Sequence, residues 1–137
     1  MALALILAAA LFALAGIHLY WGLGGRWPGH DEASMVEHVV GRTRGMRAPG
    51  LLASVAVAAA LATGGCLVLA TLTSTPWDGW LKAARWALLA VFAGRGLATY
   101  VPAVFRYADG TPFATLNRRA YGPLCLAIAL GILVLQL

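Results

Sequence analysis

The chain has 137 residues, 61% hydrophobic and only 11% charged, with a mean hydropathy of +0.81. Soluble domains carry about 25% charged residues, so a chain this apolar cannot cover a soluble surface and reads as one domain, 1–137, integral to a membrane. The formal charge of +5 lies mostly between apolar runs, which points to positive-inside bias and anionic lipid and not to nucleic acid.

The first apolar run, 2–23, is long enough to span a bilayer core of about 20 residues. Ala13-Leu14-Ala15 resembles a signal cleavage site, but no Lys or Arg precedes it, so the run is expected to be a retained helix. His18 shares a face with Leu14, Trp21 and Gly22. The connection 24–48 is long and polar. Within 31–40, Met35, Val36, Val39 and Val40 fall at helical spacing, which suits a short interfacial helix or, equally, an irregular cap. His30, Asp31, Glu32, Glu37 and His38 match no metal-ligand spacing and read as a solvated loop.

The second run, 49–72, follows. Ala9/Ala13 in the first run and Ser54/Ala58/Ala62 in the second give the small-xxx-small spacing that lets helices approach closely. A short connection, 73–80, leads to the third run, 81–105, and 106–120 leads to the fourth, 121–137. The last run has 17 residues and spans only with little tilt or local thinning. The expected fold class is all-α: an integral-membrane, up-down four-helix bundle.

Connections one and three hold Arg26, Arg42, Arg44, Arg47, Arg106, Arg118 and Arg119, whereas the other side has Lys82 and Arg85. The positive-inside rule then puts these connections in the cytoplasm and both termini outside, in the periplasm of a bacterial inner membrane. Tyr20, Trp21 and Trp27 on one side, and Trp77, Trp80 and Trp86 on the other, suit interfacial anchoring.

Arg95 sits midway along 86–105, a stretch otherwise free of charge, and no other apolar run contains an acid. A guanidinium at bilayer depth costs about 2.5 kcal/mol or more, so something must compensate. At about 1.5 Å per residue, His18 lies about 8 Å inside the cytoplasmic end, Tyr100 at a similar depth, and Cys125 about 6 Å inside with Tyr121 nearer the surface. Arg95 is deeper. Arg95, Thr99 and Arg106 share one face, as do Tyr121 and Cys125, and bundling could join these faces around a polar pocket. The side chain of Arg95 leaves its helix pointing away from this cluster. Gly94 and Gly96 leave room for a neighbouring backbone to meet it, and Pro102 frees the carbonyl of Ala98.

Plain structural roles compete with functional ones at each position. Arg95 reads as a structural arginine bonded to carbonyls and hydroxyls, or as the counter-charge of an anionic ligand. His18 reads as a satisfied hydrogen bond, and Tyr121 and Cys125 as packing. A dithiol function fails on arithmetic: at about 1.5 Å per residue, Cys66 lies about 24 Å from the face that Cys125 approaches to about 6 Å. A disulfide needs Cα atoms within about 7 Å.

The segment Pro112-Phe113-Ala114-Thr115-Leu116-Asn117-Arg118-Arg119-Ala120-Tyr121-Gly122-Pro123-Leu124-Cys125-Leu126 resembles the C-terminal signature of a bacterial family of small membrane proteins of unknown function. His18-Leu19-Tyr20-Trp21 followed by Gly24-Gly25-Arg26-Trp27 resembles its N-terminal signature, and Arg95-Gly96 its third-helix arginine. The resemblance implies four helices and no known activity. It also implies Asp where this chain has Asn117, and so the loss of an acid that could balance Arg95.

The ligand- or lipid-binding candidates are therefore Arg95, His18, Tyr100, Tyr121, Cys125 and Trp21, with no metal site, no cofactor and no recognisable catalytic set. A non-catalytic accessory subunit or lipophile-binding module is the leading expectation, with membrane lipids, other subunits or a second copy of the chain as partners. A lipid- or isoprenoid-active enzyme with an Arg95/His18 site is the alternative. A small transporter, or an oligomeric channel lined by Arg95, is a third reading.

Overall fold

The structure, a computed structural model, describes residues 1–41, 48–74 and 76–137. Arg42, Arg44 and Arg47, which weigh in the orientation argument, lie outside the described residues. The described chain is helical: α1 (Ala2–Gly22), α2 (Glu32–Val39), α3 (Leu51–Leu69) with a short 3-10 extension Ala70–Leu72, α4 (Asp78–Ala98), α5 (Pro112–Leu116) and α6 (Gly122–Gln136). A 3-10 turn at Arg106–Ala108 and a π-helical turn at Asn117–Tyr121 complete it. Among the described residues three stretches, Ala2–Gly22, Leu51–Leu72 and Pro112–Gln136, are long and apolar enough to cross a membrane.

The long helices pack as two antiparallel pairs, α1 with α3 and α4 with α6. Both termini lie at one end of the molecule, with α2 and α5 at the other, here called the loop end. The pairs meet where Leu7 of α1 covers Gly131 and Leu88 of α4 covers Gly64. The buried core runs through Ala4, Leu7, Ala8 and Leu11 of α1, Val68, Phe92, and Ile128, Ala129 and Ile132 of α6.

This packing revises the expected small-residue faces. Ala9 and Ala13 are exposed, and the buried face of α1 is instead Ala4, Leu7, Ala8, Leu11 and Ala15. Ser54 and Ala58 of α3 are buried as expected. Gly65 takes the Phe12 ring where a Cβ would stand 2.9 Å from it.

The third and fourth segments also differ from the expected boundaries. The third helix ends at Ala98, not at residue 105. Pro102 has no N–H to continue the helix, and its ring restricts Val101 before it. The last turn tightens to three-residue bonds, Thr99 N to Gly96 O and Tyr100 N to Leu97 O. Val101 N reaches Ala98 O at 3.2 Å, so the carbonyl expected to be free for Arg95 is occupied. The fourth helix begins at Pro112, nine residues before the expected start, with Pro at the first helical position where its missing N–H costs nothing. Hydropathy hides this turn because Asn117, Arg118 and Arg119 are polar.

The wide turn at Asn117–Tyr121 follows from Pro123. In a regular helix the proline ring would strike the carbonyl four residues back. The wide turn relieves that crowding, and Gly122 N bonds five residues back to Asn117 O. At that spacing Pro123 would be the partner of Arg118 O, yet it has no proton to give. The Tyr100 hydroxyl donates to Arg118 O instead, at 3.4 Å.

The short helix expected over 31–40 is present as α2. Asp31 caps it, accepting from Ser34 N at 2.7 Å, and the Ser34 hydroxyl oxygen accepts in turn from Asp31 N. This reciprocal pair is a capping box. The Ser34 bond holds the Asp31 carboxyl below its ordinary value of 3.8. Met35 and Val36 are buried, and α2 packs against α5.

Candidate functional site

Arg95 lies on the face of α4 that meets α6. Its side chain doubles back toward the loop end: Nη1 donates to Thr99 Oγ1 at 2.8 Å and Nη2 to Asn117 Oδ1 at 2.8 Å. The guanidinium also sits 4.8 Å from the centre of the Phe105 ring, a cation–π contact. Thr99 has one proton for two acceptors, Arg95 O at 3.3 Å and Asn117 Oδ1 at 3.4 Å. Asn117 is 1% exposed and Thr99 3%. The oxygens that receive the charge are a hydroxyl and an amide, so the pair is polar but not neutralised. The close approach comes from two glycines. A Cβ on Gly96 would stand 3.2 Å from Gly122 O, and one on Gly122 would stand 2.8 Å from Thr99 Cγ2. Gly94, expected to help, faces open space.

Arg106, expected on the same face, falls beyond the end of α4 and is exposed. Cys125, about one turn into α6, is half-buried and packs against the core cluster. Cys66 and Cys125 are both free thiols.

Arg85, at the other end of α4, is buried where Arg95 is half-buried, and in the sequence it weighed only in the orientation argument. Its Nε donates to Gln136 Oε1 at 2.9 Å, and Gln136 Nε2 donates to Lys82 O at 3.1 Å. The antiparallel register is the missing signal: a helix pair that sets residue 96 beside residue 122 sets 85 near 136. An arginine–amide contact thus closes each end of the α4–α6 pair.

His18 belongs elsewhere. Its Nδ1 lies 2.8 Å from Leu14 O, and its ring meets Trp21 edge-on at 5.1 Å. The Trp21 indole donates to Trp27 O at 2.6 Å, and the Tyr20 hydroxyl accepts from Arg26 N at 3.2 Å. Gly24, at φ 93°, makes the turn, and Gly25 approaches the Tyr20 ring so closely that no side chain fits. The His18-to-Trp27 segment is therefore a folded cap over the end of α1. Beside it, His18, Trp21, Met35, Val39, Ser54 and Val57 help to line a cavity of about 230 Å³. A second cavity of about 240 Å³ adjoins it through Trp21, Met35 and Pro49 and includes Arg26 and Glu32.

Tyr121 ties the two regions' backbones together: its hydroxyl donates to His38 O at 3.2 Å, and its ring packs on Phe113 at 5.9 Å. Tyr100 and Tyr121 thus each hold a main-chain carbonyl. The helix faces do not converge into one polar pocket. Arg95 and Cys125 gather between α4 and α6, whereas His18 and Trp21 gather between α1, α2 and α3. Between Thr99, Phe105 and Asn117, beside the arginine, the cavity is about 20 Å³, room for about one water. Among the described residues no group of three or more His, Cys, Asp or Glu side chains is placed to hold a metal.

No curated protein and no solved structure matches the chain. The profile of one family, described as a protein of unknown function (DUF3995), matches residues 2–132. With nearly its whole length covered by that match, the chain belongs to the DUF3995 family.

Proposed function

We propose that this chain is a non-catalytic module of the bacterial inner membrane that holds a lipophile at its loop end, as an accessory subunit of a larger assembly. In this reading all four long helices cross the bilayer as an up-down bundle. The loop end is cytoplasmic and both termini periplasmic, as the distribution of basic residues favours. The observation that carries the reading is the cavity beside His18 and Trp21, largely apolar with two polar side chains at its wall. Val57, at its edge, is 43% exposed, so in a bilayer the cavity opens sideways to lipid.

The arginine supports the same reading through its contacts. Two of its five N–H groups donate to Thr99 and Asn117 and the Phe105 ring lies beside the guanidinium, and the adjoining space is about one water's volume. An enzyme acting through Arg95 and His18 needs both within reach of one reacting atom, and their contacts belong to different helix pairs.

Gentle extraction from the native membrane followed by native mass spectrometry tests the proposal. The expected result is a mass increment from a retained lipophile, with or without partner chains. A monomer that retains nothing, and whose deletion leaves the membrane complexes unchanged, overturns it.

A further inference from the structure

We infer that the cavity between α1, α2 and α3 is a binding site for a lipophile whose head is a hydroxyl group, with His18 as the recognising side chain; the inference rests on the lipophile-binding reading above. The reasoning is donor–acceptor accounting. His18 Nδ1 lies 2.8 Å from Leu14 O, and a carbonyl only accepts, so Nδ1 carries the proton. With Nδ1 as the donor, Nε2 is the acceptor of the uncharged form of the ring. The Ser54 hydroxyl donates to Pro49 O at 3.5 Å, which leaves its lone pairs as acceptors. The Trp21 N–H is occupied by Trp27 O, and Pro49 has no N–H. The polar side chains at the wall therefore ask for a donor.

Ala53 also lines the cavity. A hydroxyl donates to either acceptor and brings no charge to the apolar wall. An ether or ester head can only accept, and a carboxylate brings a negative charge to the imidazole lone pair. Val39, Val40 and Val57 provide the apolar wall for the chain behind the head. His18 stands one turn from the end of α1, the depth at which a single hydroxyl reaches the interface while its tail stays in hydrocarbon.

Photo-crosslinking tests this. The probes are a hexadecanol carrying a mid-chain diazirine, its methyl ether and the matching fatty acid, at equal loading in phosphatidylcholine vesicles holding the full chain. Labelled peptides are mapped by mass spectrometry. The alcohol is expected to label the cavity-lining residues about three- to tenfold more than either analogue, the usual worth of one hydrogen bond. His18→Phe, which keeps an apolar ring, should bring alcohol and ether to parity, and Val57→Trp should reduce labelling by both.

Equal cavity labelling by alcohol and ether, or preference for the acid, sinks the hydroxyl assignment and leaves lipophile binding standing. Labelling no stronger than at the lipid-facing residues of α6 removes both. If His18→Phe fails to fold, the three-probe comparison on the wild-type chain still decides, and Ser54→Ala, expected to lower the alcohol's advantage, is the second variant.

Discussion

Arg95 is held by groups that cannot neutralise it, and two substitutions separate its roles. Arg95→Leu removes the shorter of the two donors to buried Asn117 Oδ1 and leaves the Thr99 hydroxyl at 3.4 Å, and a lost hydrogen bond from a charged donor costs about 1.5–3 kcal/mol. The variant should therefore melt earlier in detergent, while labelling of the His18 cavity by the alcohol probe is unchanged. Asn117→Asp places a carboxylate where the amide oxygen now sits. Charge-assisted bonds are roughly twice as strong as neutral ones, so the apparent Tm should rise; a fall would mean that the site tolerates the amide only. The resemblance to the family pointed to this position from sequence. The partner itself was not legible, because Asn117 lies on a wide turn that hydropathy reads as connection. Thr99 was legible, since i and i+4 share a helix face.

At the scale of elements, the molecule depends on caps and glycine contacts. Asp31→Ala should loosen the first turn of α2 by removing its capping acceptor, seen as faster amide exchange at Ser34 and Met35. The pH dependence has a definite sign. The Asp31 carboxyl is held below 3.8 in the folded state, so its contribution is present above that value and fades as pH falls through the lowered one. Exchange protection of α2 in wild type should therefore decline below about pH 3.8 and converge on that of the variant. Gly122→Val tests the α4–α6 contact. The added side chain meets Thr99 Cγ2, which is 2.8 Å from even a single Cβ, and overpacking of this kind costs about 1–3 kcal/mol. Glycine spacing alone did not reveal this contact, because Gly94 and Gly96 look equivalent in sequence and only the second faces α6.

At the scale of the whole molecule, the antiparallel pairs put residues 1 and 137 at one end and residues near 110 at the other. Fusion of a reporter that is active only in an oxidising periplasm gives a direct check on orientation. It should be active when fused after Leu137 and silent when fused after Gly110. The reverse pattern would invert the molecule and put the His18 cavity on the periplasmic side. Equal activity at the two positions would remove the up-down bundle.

Composition and run length determined that this chain is helical and apolar enough for a membrane, because about 20 apolar residues can satisfy their backbone in lipid only as a helix. Helical periodicity of Met35, Val36, Val39 and Val40 offered α2 as one of two readings, and the Asp31–Ser34 capping box decided for it. Tertiary structure decided the rest. Helix rotation, which periodicity leaves open among apolar faces, turned Arg95 toward Asn117 and His18 toward α2 and α3. Register, which no single segment carries, joined Arg85 to Gln136. Pro102 ended the third helix, because it has no N–H to continue the ladder, and Pro112 opened the fourth, where that missing N–H costs nothing. The lone charge that stands out in the sequence thus finds its partners across the α4–α6 contact, and His18 lines a larger cavity than the one beside Asn117.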